Sequence, residues 1–270
     1  MNITLLVNRD LASCVALNHL LPQLASHRLY LFLSSRVGKS STTKPELLNT
    51  LKFYEQDLFN DILFPLLDSN AALTKTATLK TFYGLQEFLA APPAELNKIN
   101  TDELTRFEAT EPDLVLSIRY GVILKEQALA VPTLGVLNLH SGLLPDYRGV
   151  MASFWALLNN ATTLGTTLHY IDDATIDTGR VLGTTALPRN PDRSYLWHVL
   201  TLYKDGCDLL AQKVAAIARG EQPACTAQSG QGNYYSYPRQ EHLDQFGSQG
   251  SVLVDPAEIV GIASQFQNNL

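Results

Sequence analysis

Val136-Leu137-Asn138-Leu139-His140-Ser141-Gly142-Leu143-Leu144-Pro145-Asp146-Tyr147-Arg148-Gly149 reads as a strand that ends on polar residues and then turns. The apolar run from Leu134 to Leu139 favours an extended backbone. Residues two apart on a strand share a face, so Asn138 and His140 point together at its carboxyl end. Gly142 and Pro145 then redirect the chain. Working outward, Asp113 to Ile118, just after Pro112, reads as a second buried strand, and Ile3 to Val7 and Leu29 to Leu33 as two more. Helices fit between them. Asp10 can cap one whose apolar positions are Leu11, Val15, Leu17, Leu20 and Leu21. Leu47 to Leu58 and the stretch around Phe82 to Leu89 also read as helical. Downstream, a helix over Ala152 to Leu158 precedes a strand over Thr166 to Ile171. Strands alternating with helices imply an α/β fold with a mostly parallel sheet, whose ligands sit beyond the carboxyl ends of the strands.

The chain changes character after Pro188. Asp192 to Arg219 is expected to be helical, packing through Trp197, Leu200, Tyr203 and Leu210, with Gly220 as its stop. Gln228 to Tyr237 is rich in Gly, Ser, Gln and Tyr and reads as a loop or short hairpin. Pro256 to Phe266 reads as a last helix. The expected division is a main domain over residues 1–190 and a small α/β extension over 191–270.

The chain has 270 residues, of which 46% are hydrophobic and 17% charged, enough apolar content for a packed core. The net charge of −6 and the lack of a long Lys/Arg run disfavour a nucleic-acid partner. Cys14, Cys207 and Cys225 are odd in number and far apart, and are expected to be reduced thiols. The first apolar run is too short for a signal-peptide core or a membrane span, so no membrane association and a cytoplasmic location are expected. Asn8 to Ser13 lacks the glycines of a dinucleotide site. Val37-Gly38-Lys39-Ser40-Ser41 lacks the upstream glycine of a phosphate-binding loop.

The residues that carry chemistry are Asn138, His140 and a carboxylate from the segment Ile171 to Gly179, which reads as strand end, acidic loop and glycine turn. An amide and an imidazole can stabilise the oxyanion of acyl transfer to an amine. Imidazole titrates near neutrality, and a neighbouring carboxylate orients it and raises its pKa. The other histidines, His19, His27, His169, His198 and His242, read as structural or solvent-exposed. Tyr147 and Arg148 either hold an anionic substrate or pin the turn after Pro145. Phe154 and Trp155 read as core. Asn233 to Pro238 either lines an acceptor pocket or packs as structure, tyrosine offering ring and hydroxyl together.

Asn-x-His followed by Leu-Leu-Pro, Tyr-Arg-Gly and a later Ile-Asp-Thr-Gly resembles the folate-dependent formyltransferase family, most closely from Pro112 to Pro188. The resemblance implies a Rossmann-like, mostly parallel sheet. It implies a catalytic trio of Asn138, His140 and Asp177, with Asp177 preferred over Asp172 and Asp173 because Thr178 and Gly179 follow it. It implies 10-formyltetrahydrofolate as formyl donor and no metal. The donor would lie against Tyr120, Gly121, Val122, Ile123 and Leu124 and against a loop contributing Ile171, Asp173 and Thr175. Ser141, Tyr147, Arg148 and Tyr235 are the expected acceptor contacts. The expected acceptor is a small-molecule amine, an amino sugar or an amino-acid-derived amine or hydroxylamine. Initiator methionyl-tRNA is the alternative. Water as acceptor, which makes a formyl-folate hydrolase, and plain folate binding are readings of other classes. A homodimer is left open.

Overall fold

The computed structural model describes residues 1–35 and 45–268. The polar stretch Arg36 to Lys44, including the glycine-lysine-serine run, lies outside the described residues. Seven strands form one sheet: β1 (Asn2–Asn8), β2 (Arg28–Ser34), β3 (Ala94–Glu95), β4 (Leu114–Ile118), β5 (Val136–His140), β6 (Thr167–Tyr170) and β7 (Val181–Thr184). Their spatial order is β3-β2-β1-β4-β5-β6-β7. The pairings from β3 to β5 are parallel, and β6 and β7 are added antiparallel.

Side-chain alternation divides two buried layers. Ile3, Leu5 and Val7 of β1, Leu114, Leu116 and Ile118 of β4, and Leu137 and Leu139 of β5 enter the larger core. Leu6, Val115 and Val136 enter the other, with Phe32, Leu96, Ile99 and Phe107. Asn138 and His140 share the parity of Val136, so they belong to the second face. The first face is covered by α1 (Leu11–Leu20) and α4 (Tyr195–Ala218). Helix α1 is buried nearly all round rather than on a single stripe, because it packs against α4 as well as the sheet. Its cap forms as expected: Asp10 accepts from the Ser13 N–H at 2.7 Å. Where α4 crosses the sheet it carries Gly206, and a β-carbon there would stand 2.8 Å from Thr166 Oγ1.

The expected helix at Leu47 begins as α2 (Glu46–Lys52) and continues as a π-helix from Phe53 to Leu63. Helix α3 (Ala152–Leu158) forms as expected. Around Phe82 to Leu89 the chain makes only a short 3₁₀ segment, Gly84–Phe88. Gly84 disfavours an α-helix there, and its N–H is taken by Thr81 Oγ1 at 3.0 Å. The tyrosine-rich stretch is not a hairpin. Tyr234–Tyr235 instead runs parallel to Arg148–Gly149, with Arg148 N–H donating to Asn233 O at 3.0 Å and Val150 N–H to Tyr235 O at 2.9 Å. Helix α5 (Gln240–Ser248), strand β7 and the pairing with Arg148–Gly149 were not read from sequence. Helix α6 (Pro256–Ala263) forms as expected, and Ile259 and Phe266 join the same core as α1 and α4. All three cysteines are free thiols. No helix among the described residues is long and apolar enough to cross a membrane.

Candidate active site

Strand β5 delivers Asn138 and His140 to the mouth of a cavity of about 610 Å³ at the carboxyl end of the parallel strands. His140 Nε2 lies 2.7 Å from the Tyr147 carbonyl. A carbonyl only accepts, so Nε2 carries the hydrogen. The free edge of the ring is therefore Nδ1, which faces Asp177 Oδ2 at 3.5 Å. Asn138 is paired across the antiparallel ladder with His169. The same reasoning fixes that ring: Nδ1 donates to the Tyr170 carbonyl at 2.7 Å, leaving Nε2 to accept from Asn138 Nδ2 at 3.0 Å.

Asp177 arrives from the loop between β6 and β7. Its backbone is left-handed, at φ +54°, a region that Asp tolerates better than most residues. Two glycines let the loop close. The Gly149 N–H donates to Asp177 Oδ2 at 2.8 Å. At Gly179 a β-carbon would collide with the Tyr170 carbonyl at 1.8 Å. Gln228 ties the loop from outside, donating to Asp177 O at 2.9 Å and Gly179 O at 2.8 Å, and it accepts from Arg148 Nη2 at 3.1 Å. Burial pushes the Asp177 carboxyl up, but His140 when protonated, His169 and the Gly149 N–H outweigh it and hold the group at about 2. Asp172 is engaged elsewhere, with Arg180 at 2.7 Å, and Asp173 accepts from the Thr175 N–H at 2.7 Å. Of the three aspartates, Asp177 is the one beside the two imidazoles.

Of the residues expected to contact a donor, Tyr120, Gly121, Val122, Ile123, Leu124, Ile171, Asp173 and Thr175 all line this cavity. Tyr120 is held by donating to the Leu96 carbonyl at 2.5 Å, and the Gly121 N–H by donating to Ser34 Oγ at 2.9 Å. A cleft of this size with an apolar wall and backbone polar groups suits a flat heterocycle. Ser141 also lines the cavity. Tyr147, Arg148 and Tyr235 are not among its lining residues, whereas Tyr234 and Tyr237 are. Tyr235 instead stacks on Trp155 with ring centroids 4.8 Å apart, and Arg148 pins the loop through Gln228 and the Gln231 carbonyl. Two features were missed in the sequence. His169 was read as structural, and the buried group Asp10, Glu55 and Arg119 gave no local motif.

Residues 74–195 match the family model for formyl transferase. Over this segment, which is under half of the chain, the sequence is similar to the formyl transferase family. The segment contains all three of Asn138, His140 and Asp177. The chain is similar to methionyl-tRNA formyltransferase of Synechococcus sp. (strain JA-3-3Ab), 33% identical over 129 residues, which is 48% of this chain and 39% of that protein. It is similar to the same enzyme of Roseiflexus sp. (strain RS-1), 38% identical over 112 residues, 42% of this chain and 34% of that protein. The matched part is thus well under half of these relatives' length. In fold, the chain is similar to a sugar N-formyltransferase from Shewanella sp FDAARGOS_354, with a TM-score of 0.54 at 16% identity over 86% of this chain and 76% of that one. It is equally similar to glycinamide ribonucleotide transformylase 1 from Symbiobacterium toebii, with a TM-score of 0.54 at 15% identity over 84% and 93%.

Proposed function

We propose that this chain transfers a formyl group from 10-formyltetrahydrofolate to the amine of a small molecule. The observation that carries the reading is the convergence of Asn138, His140 and Asp177 on one cavity whose other side is the wall from Tyr120 to Leu124. The donor supplies the activated formyl carbon. The Asn138 amide stabilises the negative charge that develops on the formyl oxygen as a neutral amine attacks, and His140 adds to this once it has taken up the amine's proton. His140 moves the proton through Nδ1, because Nε2 is committed to the Tyr147 carbonyl. Asp177 stabilises the imidazolium that forms. The released proton passes to the departing folate nitrogen, so no covalent enzyme intermediate is needed.

A second reading, initiator methionyl-tRNA as acceptor, is favoured by the sequence relatives named above. Against it stand the acidic balance and the absence of a long basic run in the sequence. A formylation assay decides between them. Charged initiator tRNA is set beside a panel of amino sugars and ornithine-type amines, each with 10-formyltetrahydrofolate. Formylation of a small amine supports the first reading. Efficient, salt-sensitive formylation of the tRNA alone promotes the second.

A further inference from the structure

A second group of charges meets the same cavity, and the proposed transfer chemistry leaves it unused. Arg119 follows β4 in the left-handed region, at φ +57°. Its Nε donates to Asp10 Oδ2 at 2.9 Å, and its Nη2 donates to Glu55 Oε1. Asp10 is fully enclosed, accepts also from Asn8 Nδ2 at 2.7 Å and the Ser13 N–H at 2.7 Å, and does not line the cavity. Asp10 and Arg119 thus make an internally neutral pair. Glu55 is different. It comes from the π-helical turn, it is 7% exposed, and it does line the cavity. Two buried carboxylates share one guanidinium, which leaves one negative charge in excess when both are ionised.

The other charged groups of the described lining do not cancel it. Lys52 is half exposed and paired with Asp57 at 2.5 Å, while Asp173 and Asp177 are themselves acidic. Tyr195 and Tyr237 line the cavity within electrostatic range of Glu55. Tyrosine faces attract an ammonium, and a carboxylate that shares its one guanidinium with a second carboxylate favours a cation over a phosphate or carboxylate ligand.

We propose that Glu55, backed by Arg119 and flanked by Tyr195 and Tyr237, holds a second, protonated amine of the acceptor. The acceptor is then a diamine or a basic amino-acid derivative: one nitrogen sits at Glu55 as a cation, and the other, neutral, faces His140. This rests on the formyl-transfer reading above and narrows its substrate class. Asp10 and Glu55 lie outside the segment that matches the family model, where acceptor-specific residues need not follow the shared pattern.

The test is calorimetric binding of three four-carbon probes to the full chain saturated with 5-formyltetrahydrofolate. The probes are 1,4-diaminobutane, 1,4-butanediol and succinate. Wild type is expected to bind the diamine at least about ten-fold tighter than the diol or succinate, and Glu55→Gln to erase that preference. Succinate binding as well as the diamine, no measurable diamine binding, or diamine binding equal in wild type and Glu55→Gln each overturns the inference. The wild-type comparison stands even where the variant does not fold. Binding of the folate analogue itself, read in the same cell, separates the two levels. Folate bound with no charge preference sinks only the subsite, whereas no folate binding sinks the transfer reading beneath it.

Discussion

His169 Nε2 stands 3.0 Å from Asn138 Nδ2 across the β5–β6 ladder, and in the neutral ring the Tyr170 carbonyl leaves that nitrogen as the acceptor. The imidazole therefore dictates which way the Asn138 amide is turned. One amide hydrogen is spent on His169, and the rest of the group faces Asp177 and the cavity. This geometry predicts that His169 is a positioning residue. His169→Leu should lower kcat about ten- to a hundred-fold while leaving KM for the folate donor nearly unchanged, the scale expected when a catalytic group is misplaced. His169→Gln, whose amide oxygen can accept in the same place, should recover much of the loss. Steady-state kinetics on the two variants checks this, and equal losses in kcat for Leu and Gln would contradict it.

Removing the side chains that meet the cavity should have larger effects. Asn138→Ala and His140→Ala should lower turnover by roughly two to four powers of ten, the range for lost oxyanion or acid–base groups. Asp177→Asn should be severely impaired. Asp172→Asn and Asp173→Asn should be milder, since their carboxylates serve Arg180 and Thr175. Asp177, held at about 2, stays ionised at all pH values above roughly 4. Its protonation therefore does not set the acid limb of kcat. A pH–rate profile should show Asp177→Asn lowering the plateau, not shifting an inflection near pH 4.

The parts legible in the sequence were those with local signals. The β1 run, the Asp10 cap, the strand at Leu114 and the Asn138/His140 pair all rest on periodicity or spacing within a few residues. His169 escaped because its role depends on the antiparallel register that sets it opposite Asn138, and a lone histidine carries no register. Arg119 and Glu55 escaped for a related reason: they are 64 residues apart in the chain, and only the sheet and the π-helical turn bring them together. Tyr235 and Arg148 were assigned to the acceptor from composition. The parallel pairing of Tyr234–Tyr235 with Arg148–Gly149 turns Tyr235 onto Trp155 instead.

That pairing makes Gly149 sensitive. Its φ is +94°, a β-carbon would stand 2.2 Å from the Tyr235 carbonyl, and its N–H holds Asp177 Oδ2 at 2.8 Å. Gly149→Ala should destabilise the fold by about 1–3 kcal/mol through strain and forced displacement of the neighbouring strand. Activity should fall about a hundred-fold or more, because the displaced N–H no longer fixes the carboxylate. Chemical denaturation and turnover measured on the same preparation check both numbers. Near wild-type activity in a destabilised variant would show that the Gly149 N–H does not position Asp177.

Glu55 offers a pH signature in stability. Burial pushes its carboxyl up, Arg119 pulls it down and Asp10 pushes it up again, leaving it at about 7. An unfolded glutamate titrates near 4.3. Between about pH 4.5 and 7 the folded chain therefore keeps a proton that the unfolded chain releases. By linkage the folded state binds more protons in that window, so stability falls as pH rises through it. The contribution is fully present below the unfolded value and lost above the folded one. Glu55→Gln cannot ionise and should remove this slope, gaining on the order of 1–3 kcal/mol relative to wild type between pH 4.5 and 7.5. Subtracting the two denaturation series cancels the histidines and other carboxylates that titrate in both proteins. Parallel curves across that window would mean that Arg119 keeps Glu55 ionised, and the excess charge at the cavity wall would then be permanent rather than pH-dependent.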